Sequence, residues 1–192
     1  MIKDDLDQEF DEALEVAARK AYDEVEAFYK ELNAESSRVA AILVVAKIDE
    51  ELTSVIKRYF PANVCDEQDP LSKIFNLIFG GAGPYGSLYK KSEMAKKIGV
   101  FGKKTHETIQ KMCEIRNLFA HGLSVRTFDH PDVLKLCAEL GRYPIFNYEL
   151  SDTATEAEIR SAFITVARCL HQRLEMIAPR VSGPGDPQGP LP

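Results

Sequence analysis

The amino-acid sequence predicts an all-α fold, a single multi-helix, bundle-like domain of about six to seven helices with a disordered C-terminal tail. Three observations lead there. Apolar residues return at three- and four-residue intervals in one segment after another, which lines them along one face of a helix. Glycine and proline stand between those segments, at Pro61, Gly99, Gly122, Gly141 and Pro179, where helices should stop. The length of 192 residues, with 45% hydrophobic content, suits one domain. A chain of that size buries roughly 70% of its unfolded surface without cross-links.

Each element follows in turn. Between Asp4 and Leu32 there is neither Gly nor Pro, and Leu6, Phe10, Leu14, Ala17, Ala21, Val25 and Phe28 mark one amphipathic helix. Glu35-Ser36-Ser37 supplies capping chemistry for a second helix, apolar nearly all round at first and then narrowing to Ile48, Leu52, Val55, Ile56 and Tyr59. Its first half is the expected centre of the core. Pro61 ends it, and a polar connection reaches Pro70. A short apolar helix from Leu71 to Phe79 runs into the glycine-rich loop Gly80 to Ser87. Helices from Ser87 to Ile98, capped by Gly99, and from Thr105 to His121, stopped by Gly122, come next. Pro131 suits the first turn of a helix over Val133 to Leu140. Tyr143-Pro144-Ile145-Phe146 reads as a brief extended segment before a last helix through Phe163, Val166, Leu170, Leu174 and Ile177. The domain is thus expected to span residues 1–180, with 181–192 a Pro/Gly-rich tail too poor in apolar residues to order.

Composition excludes several classes. Met1-Ile2-Lys3-Asp4-Asp5 lacks the basic-then-apolar order of a secretion signal, and the most apolar run, Val39 to Ala46, is far shorter than the roughly 20 residues that cross a bilayer. A cytoplasmic location without membrane partners is expected. Cys65, Cys113, Cys137 and Cys169 show no metal-binding spacing and read as reduced, mostly buried thiols. The net charge of −6 opposes general phosphate-backbone binding, but it is unevenly spread. Residues 1–35 carry twelve acidic and four basic side chains, whereas residues 83–111 carry seven lysines against Glu93 and Glu107. Such asymmetry points to a polar contact surface.

Two features carry potential chemistry. The glycine loop looks at first like a phosphate cradle, yet Gly86-Ser87-Leu88 lacks the lysine of a P-loop and no strand precedes it. A packing turn or partner surface is the reading, with Gly83, Gly86, Ser87 and Lys91 as its candidate binding residues. The second feature is Ile115-Arg116-Asn117-Leu118-Phe119-Ala120-His121. At about 100° per residue, Ile109, Met112, Cys113, Arg116, Phe119 and Ala120 share one arc, and Glu114, Asn117 and His121 another. An arginine on an apolar stripe requires a carboxylate or carbonyls, so an internal clamp drawn from Glu35, Arg38, Asp49 and Arg116 is expected, with His121 closing the helix end. The alternative is metal-independent RNA cleavage, with His121 exchanging protons and Arg116 steadying the phosphate beside Asn117, while the lysines attract substrate. His106, His130 and His171 are isolated and read as surface or capping residues; no metal ligand set and no cofactor are expected.

Three stretches together resemble the mannitol operon repressor family, an all-helical group named for its bacterial regulator. They are Glu35-Ser36-Ser37-Arg38-Val39-Ala40-Ala41-Ile42 running into Ala46-Lys47-Ile48-Asp49-Glu50-Glu51-Leu52, then Phe79-Gly80 through Gly86-Ser87-Leu88 with Lys91, Ala95, Ile98 and Gly99, and lastly Ile115 to His121. Phe128-Asp129-His130-Pro131 and Leu136-Cys137 also fit, so the likeness covers about residues 33–140. One departure is Tyr85, where that family tends to carry an aliphatic residue. The resemblance implies a regulator, acting in transcriptional or metabolic control. With no basic recognition helix in the sequence, a protein partner is expected in place of direct DNA reading, and a homodimer is anticipated. A looser resemblance is to HEPN domains, many of them ribonucleases with Arg, four to six residues, then His. Arg116, Asn117 and His121 match that pattern, which makes RNA the partner under the enzymatic alternative; the non-enzymatic reading is favoured.

Overall fold

The computed structural model describes residues 16, 19–20, 22–60, 68–140, 150–151 and 153–177. They form helices and connections only, with no strand among the described residues. The brief extended segment expected at Tyr143 to Phe146, the tail from residue 181 and most of the first helix's opening turns lie outside them. The chain divides into two compact units, residues 1–36 and 37–192. In the first, helix α1 (22–31) ends in the 3-10 turn Leu32–Ala34, closed by Glu35 N–H donating to the Leu32 carbonyl at 3.2 Å. The Phe28 and Tyr29 rings meet edge to face at 5.2 Å.

The second unit is built around α2 (Ser37–Lys57), which packs against α4 (Leu88–Lys97), α5 (Lys103–His121) and α7 (Glu156–Ile177). Small and branched residues make this possible: Ala40, Ala41, Val44, Val45, Ile48, Leu52 and Ile56 are buried, and alanines let neighbouring helices approach closely. The opening of α2 is not buried all round, as its composition suggested. Val39, Ile42 and Leu43 each keep more than a third of their surface exposed, because three neighbours cannot cover a full helical circumference. Helix α6 (Pro131–Leu140) closes the bundle against α5 and α7. Fully buried Phe119, Phe128 and Phe163 form the joint there, with ring centroids 4.9 Å and 5.2 Å apart in sequence order. Phe128 thus pins the α5–α6 connection into the core.

The helix ends follow their local chemistry. Helix α3 (Pro70–Phe79) starts on Asp69, whose carboxylate accepts from Leu71 N–H at 2.7 Å, with Pro70 in the first turn where its missing N–H costs nothing. Helix α4 ends at Gly99, with φ of 79°, where Gly99 N–H donates to Lys96 and Val100 N–H to Ala95 at 2.9 Å. That pair of bonds is a Schellman motif, and buried Val100 supplies its apolar contact. At the other end of the bundle, Glu156 accepts from Ser37 Oγ, stapling the start of α7 to the start of α2.

Candidate functional site

The glycine loop folds back on the end of α3 and not outward around a ligand. Gly83 N–H donates to Gly80 at 2.7 Å, Tyr85 N–H to Ile78 at 3.0 Å and Gly86 N–H to Gly83 at 3.0 Å. Those donors are therefore spent within the loop, not presented to an anion. The approach is so close that a Cβ on Gly83 would strike the Leu77 and Ile78 carbonyls, and one on Gly86 the Gly80 carbonyl. Tyr85 joins Phe60, Phe75 and Phe79 in an aromatic cluster in which Phe75 and Phe79 stack at 4.5 Å. Ser87 caps α4, its Oγ accepting from Lys90 N–H. Gly83, Gly86 and Ser87 hence have structural duties that would be needed in any reading of the loop.

Lys91 is buried, and its Nζ lies 2.8 Å from Asp49 Oδ1. This pair ties α4 to α2 and floors an open groove of about 360 Å³ whose walls include Glu50, Thr53, Phe75 and Asn76. Asp49, a carboxylate expected to clamp Arg116, is instead taken by Lys91. Arg116 is half-buried, near Cys113, and no carboxylate pairs with it among the described residues. The reason lies in the register of α5. Thr105, Thr108, Met112, Ile115 and Phe119 are buried and centre the apolar stripe, which leaves Arg116 at its margin and Ala120 exposed.

Arg38 forms the clamp at that end of α5. Its Nη2 donates to the carbonyls of Gly122 and Val125, each at 2.9 Å, so a guanidinium holds the chain as it leaves the helix. Asn117 and His121 are exposed one turn apart, next to this clamp, and Glu35 is exposed at the end of the first unit. The structure therefore gathers Arg38, Asn117 and His121 at one end of α5 and puts Asp49 with Lys91 elsewhere along α2.

Two histidines read as surface groups are buried. His106 Nδ1 lies 3.1 Å from Ser92 Oγ, and since Ser92 donates its own proton to the Tyr89 carbonyl at 2.8 Å, the imidazole is the donor to Ser92. Burial lowers the His106 pKa below its ordinary 6.5. His171 is fully buried on α7, with Nε2 3.4 Å from Glu51 Oε1 and 3.5 Å from Glu175 Oε1. The His171 imidazole beside it holds the Glu51 carboxyl below its usual 4.5, against the opposing effect of burial. The signal was the spacing His171-x-x-x-Glu175, which puts both side chains on one helix face.

The lysine-rich stretch is also less free than its count implies. Besides Lys91, Lys111 pairs with Glu139, Lys97 with Glu93 and Lys103 with Glu107. Lys90 and Lys104 stay exposed and Lys96 half-buried. Helix α3 presents Leu71, Ile74 and Leu77 along one exposed face, Leu77 at 74%.

This helical arrangement has a solved counterpart. A chain of the X-ray structure of the MtlR–HPr complex from Escherichia coli matches it with a TM-score of 0.60 and 15% identity, over 78% of this chain and 97% of that one. The fold is that of the mannitol repressor. No family model and no curated protein matches the sequence. The same fold is thus built here on a largely different set of side chains, and the likeness covers more of the chain than the residues 33–140 that carried the sequence resemblance. Among the described residues, no helix of this fold is long and apolar enough to cross a membrane.

Proposed function

We propose that this protein is a regulator that acts in transcriptional or metabolic control through protein contacts, with an HPr-like protein as its partner, and that it does not read DNA directly. The observation that carries the reading is the likeness to nearly the whole length of a chain solved in complex with HPr. The exposed apolar face of α3, with Lys73 and Asn76 exposed on the same helix and the compact glycine loop at its end, supplies a contact surface of apolar anchors and polar neighbours. The acting unit in this proposal is one cytoplasmic helical domain of residues 1–180, paired as a homodimer. Titrating the purified protein with HPr by calorimetry tests the reading. Saturable micromolar binding at a fixed stoichiometry is expected, and heat no larger than dilution at a hundredfold higher concentration overturns it.

A second reading rests on Asn117 and His121 facing solvent together beside the Arg38 guanidinium, with Arg116 at the same end of α5. In it, His121 takes the ribose 2′-OH proton and returns one to the leaving oxygen, while arginine steadies the phosphate. Incubation with single-stranded RNA in EDTA decides it. Fragments ending in 2′,3′-cyclic phosphate that vanish with a folded His121→Ala support cleavage; intact RNA removes the reading.

A further inference from the structure

We propose that Glu51, His171 and Glu175 form a binding site for a divalent transition-metal ion of the zinc class, joining α2 to α7. The three donor atoms, Glu51 Oε1, His171 Nε2 and Glu175 Oε1, all lie within 4.8 Å of one another, and the two nitrogen-to-oxygen separations are 3.4 Å and 3.5 Å. Zinc bonds of about 2.0–2.1 Å at tetrahedral angles place neighbouring ligand atoms roughly 3.3–3.4 Å apart, so two edges of the tetrahedron already exist.

The donor set is chosen by chemistry as well as distance. One imidazole and two carboxylates suit zinc, manganese or iron in the divalent state; calcium favours all-oxygen shells and copper(I) favours sulfur. Position restricts the site further. His171 and Glu175 stand one turn apart on α7, which turns two ligands toward one point without cost in loop ordering, and Glu51 comes from α2, the most enclosed helix of the unit. His171 is fully buried while Glu175 is 41% exposed, so an ion can enter from the Glu175 side and keep water in its fourth position.

Lys47 is the competing cation. Its Nζ lies 3.3 Å from the same Glu51 Oε1 but also 3.1 Å from Glu50 Oε2. When the ion binds, Lys47 stays with Glu50, and its nearby charge moderates the affinity. Holding two helices from the ligands of one ion also couples binding to stability.

The test uses the full untagged chain, stripped with EDTA and exchanged into buffer, then titrated with zinc chloride by calorimetry and with cobalt(II) by visible absorption. One equivalent per chain, ligand-field bands from cobalt(II) and a melting temperature raised by zinc are expected. Glu175→Gln, at a half-exposed position that leaves the buried packing intact, should weaken binding at least tenfold and abolish the zinc-dependent rise while melting normally without the ion. No saturable binding at one equivalent overturns the site. Binding of undiminished affinity in Glu175→Gln overturns it equally, since the ion then sits elsewhere.

Discussion

At the scale of single residues, four buried groups shape the molecule's response to conditions: Lys91, His106, Cys113 and Cys137. Removing Lys91 leaves Asp49 facing the groove without its cation. Lys91→Met should cost about 2 kcal/mol in denaturant unfolding, below the roughly 3–5 of a fully enclosed pair, because Asp49 retains a third of its side chain in water. Lys91→Met with Asp49→Leu should recover most of that loss. His106 gives a pH effect of definite sign. Its pKa is lowered on folding, so the unfolded chain binds the extra proton first as acid is added, and the stability it contributes is complete above 6.5 and declines below it. Melting temperatures between pH 7.5 and about 5 should fall less steeply in His106→Gln, with the amide keeping the Ser92 contact. The thiols behave in the opposite sense. Burial pushes Cys113 up to about 11 and Cys137 up to about 12, so the unfolded chain gives up those protons first and stability declines as pH rises above 9.0. At pH 8 only on the order of one thiol in a thousand or fewer is a thiolate at these sites. Alkylation followed by mass spectrometry should leave both unmodified in the native protein and label them fully in urea; rapid native labelling of Cys137 would contradict its enclosure.

At the scale of elements, the ends of helices were the most legible feature because their chemistry is local. Ser87, Gly99 and Pro131 each act within four residues, so sequence neighbours alone determine the outcome. What the sequence hid was which helix covers which face. Arg116 sits at the margin of the α5 stripe, a displacement of one residue from the Met112, Ile115, Phe119 line, and only the positions of α2, α4 and α6 decide where that line falls. The same dependence concealed the Lys91–Asp49 pair, whose members are 42 residues apart, and the His171–Glu51 contact between α7 and α2. The glycine loop lies between these cases: its irregularity was plain, but its inward hydrogen bonding was not. Gly86→Ala should destabilise the protein by about 2 kcal/mol or more, since the added methyl meets fixed backbone carbonyls and no flexible side chain can yield. Gly81→Ala, with open space around it, is the control and should fall within about 0.5 kcal/mol of the parent. Equal effects of the two substitutions would remove the close-packed account of the loop.

At the scale of the whole molecule, the charge gradient seen in the sequence becomes a matter of pairing. The acidic first 35 residues and the lysine-rich middle differ strongly in formal charge, yet four of the seven lysines of that middle stretch are tied to carboxylates in the folded chain. Of that stretch, Lys90, Lys96 and Lys104 stay outside these pairs, so less than half of its formal positive charge is left over, which weakens the case for phosphate backbones and leaves apolar area as the stronger source of affinity. Leu71, Ile74 and Leu77 supply such area on a helix whose other face is fixed by the aromatic cluster, so the backbone that carries them is already ordered before binding. If an HPr-like partner seats there, one charge placed at the most exposed anchor separates binding from folding. Leu77→Asp should leave the melting temperature within about 2 °C of the parent, because its side chain buries little in the free protein. The same change should weaken partner binding by at least tenfold, the effect of about 1.4 kcal/mol lost at an interface centre. Unaltered affinity in the folded variant would move the contact away from α3, and the Ile42 and Leu43 face of α2 would then be the next apolar surface to charge.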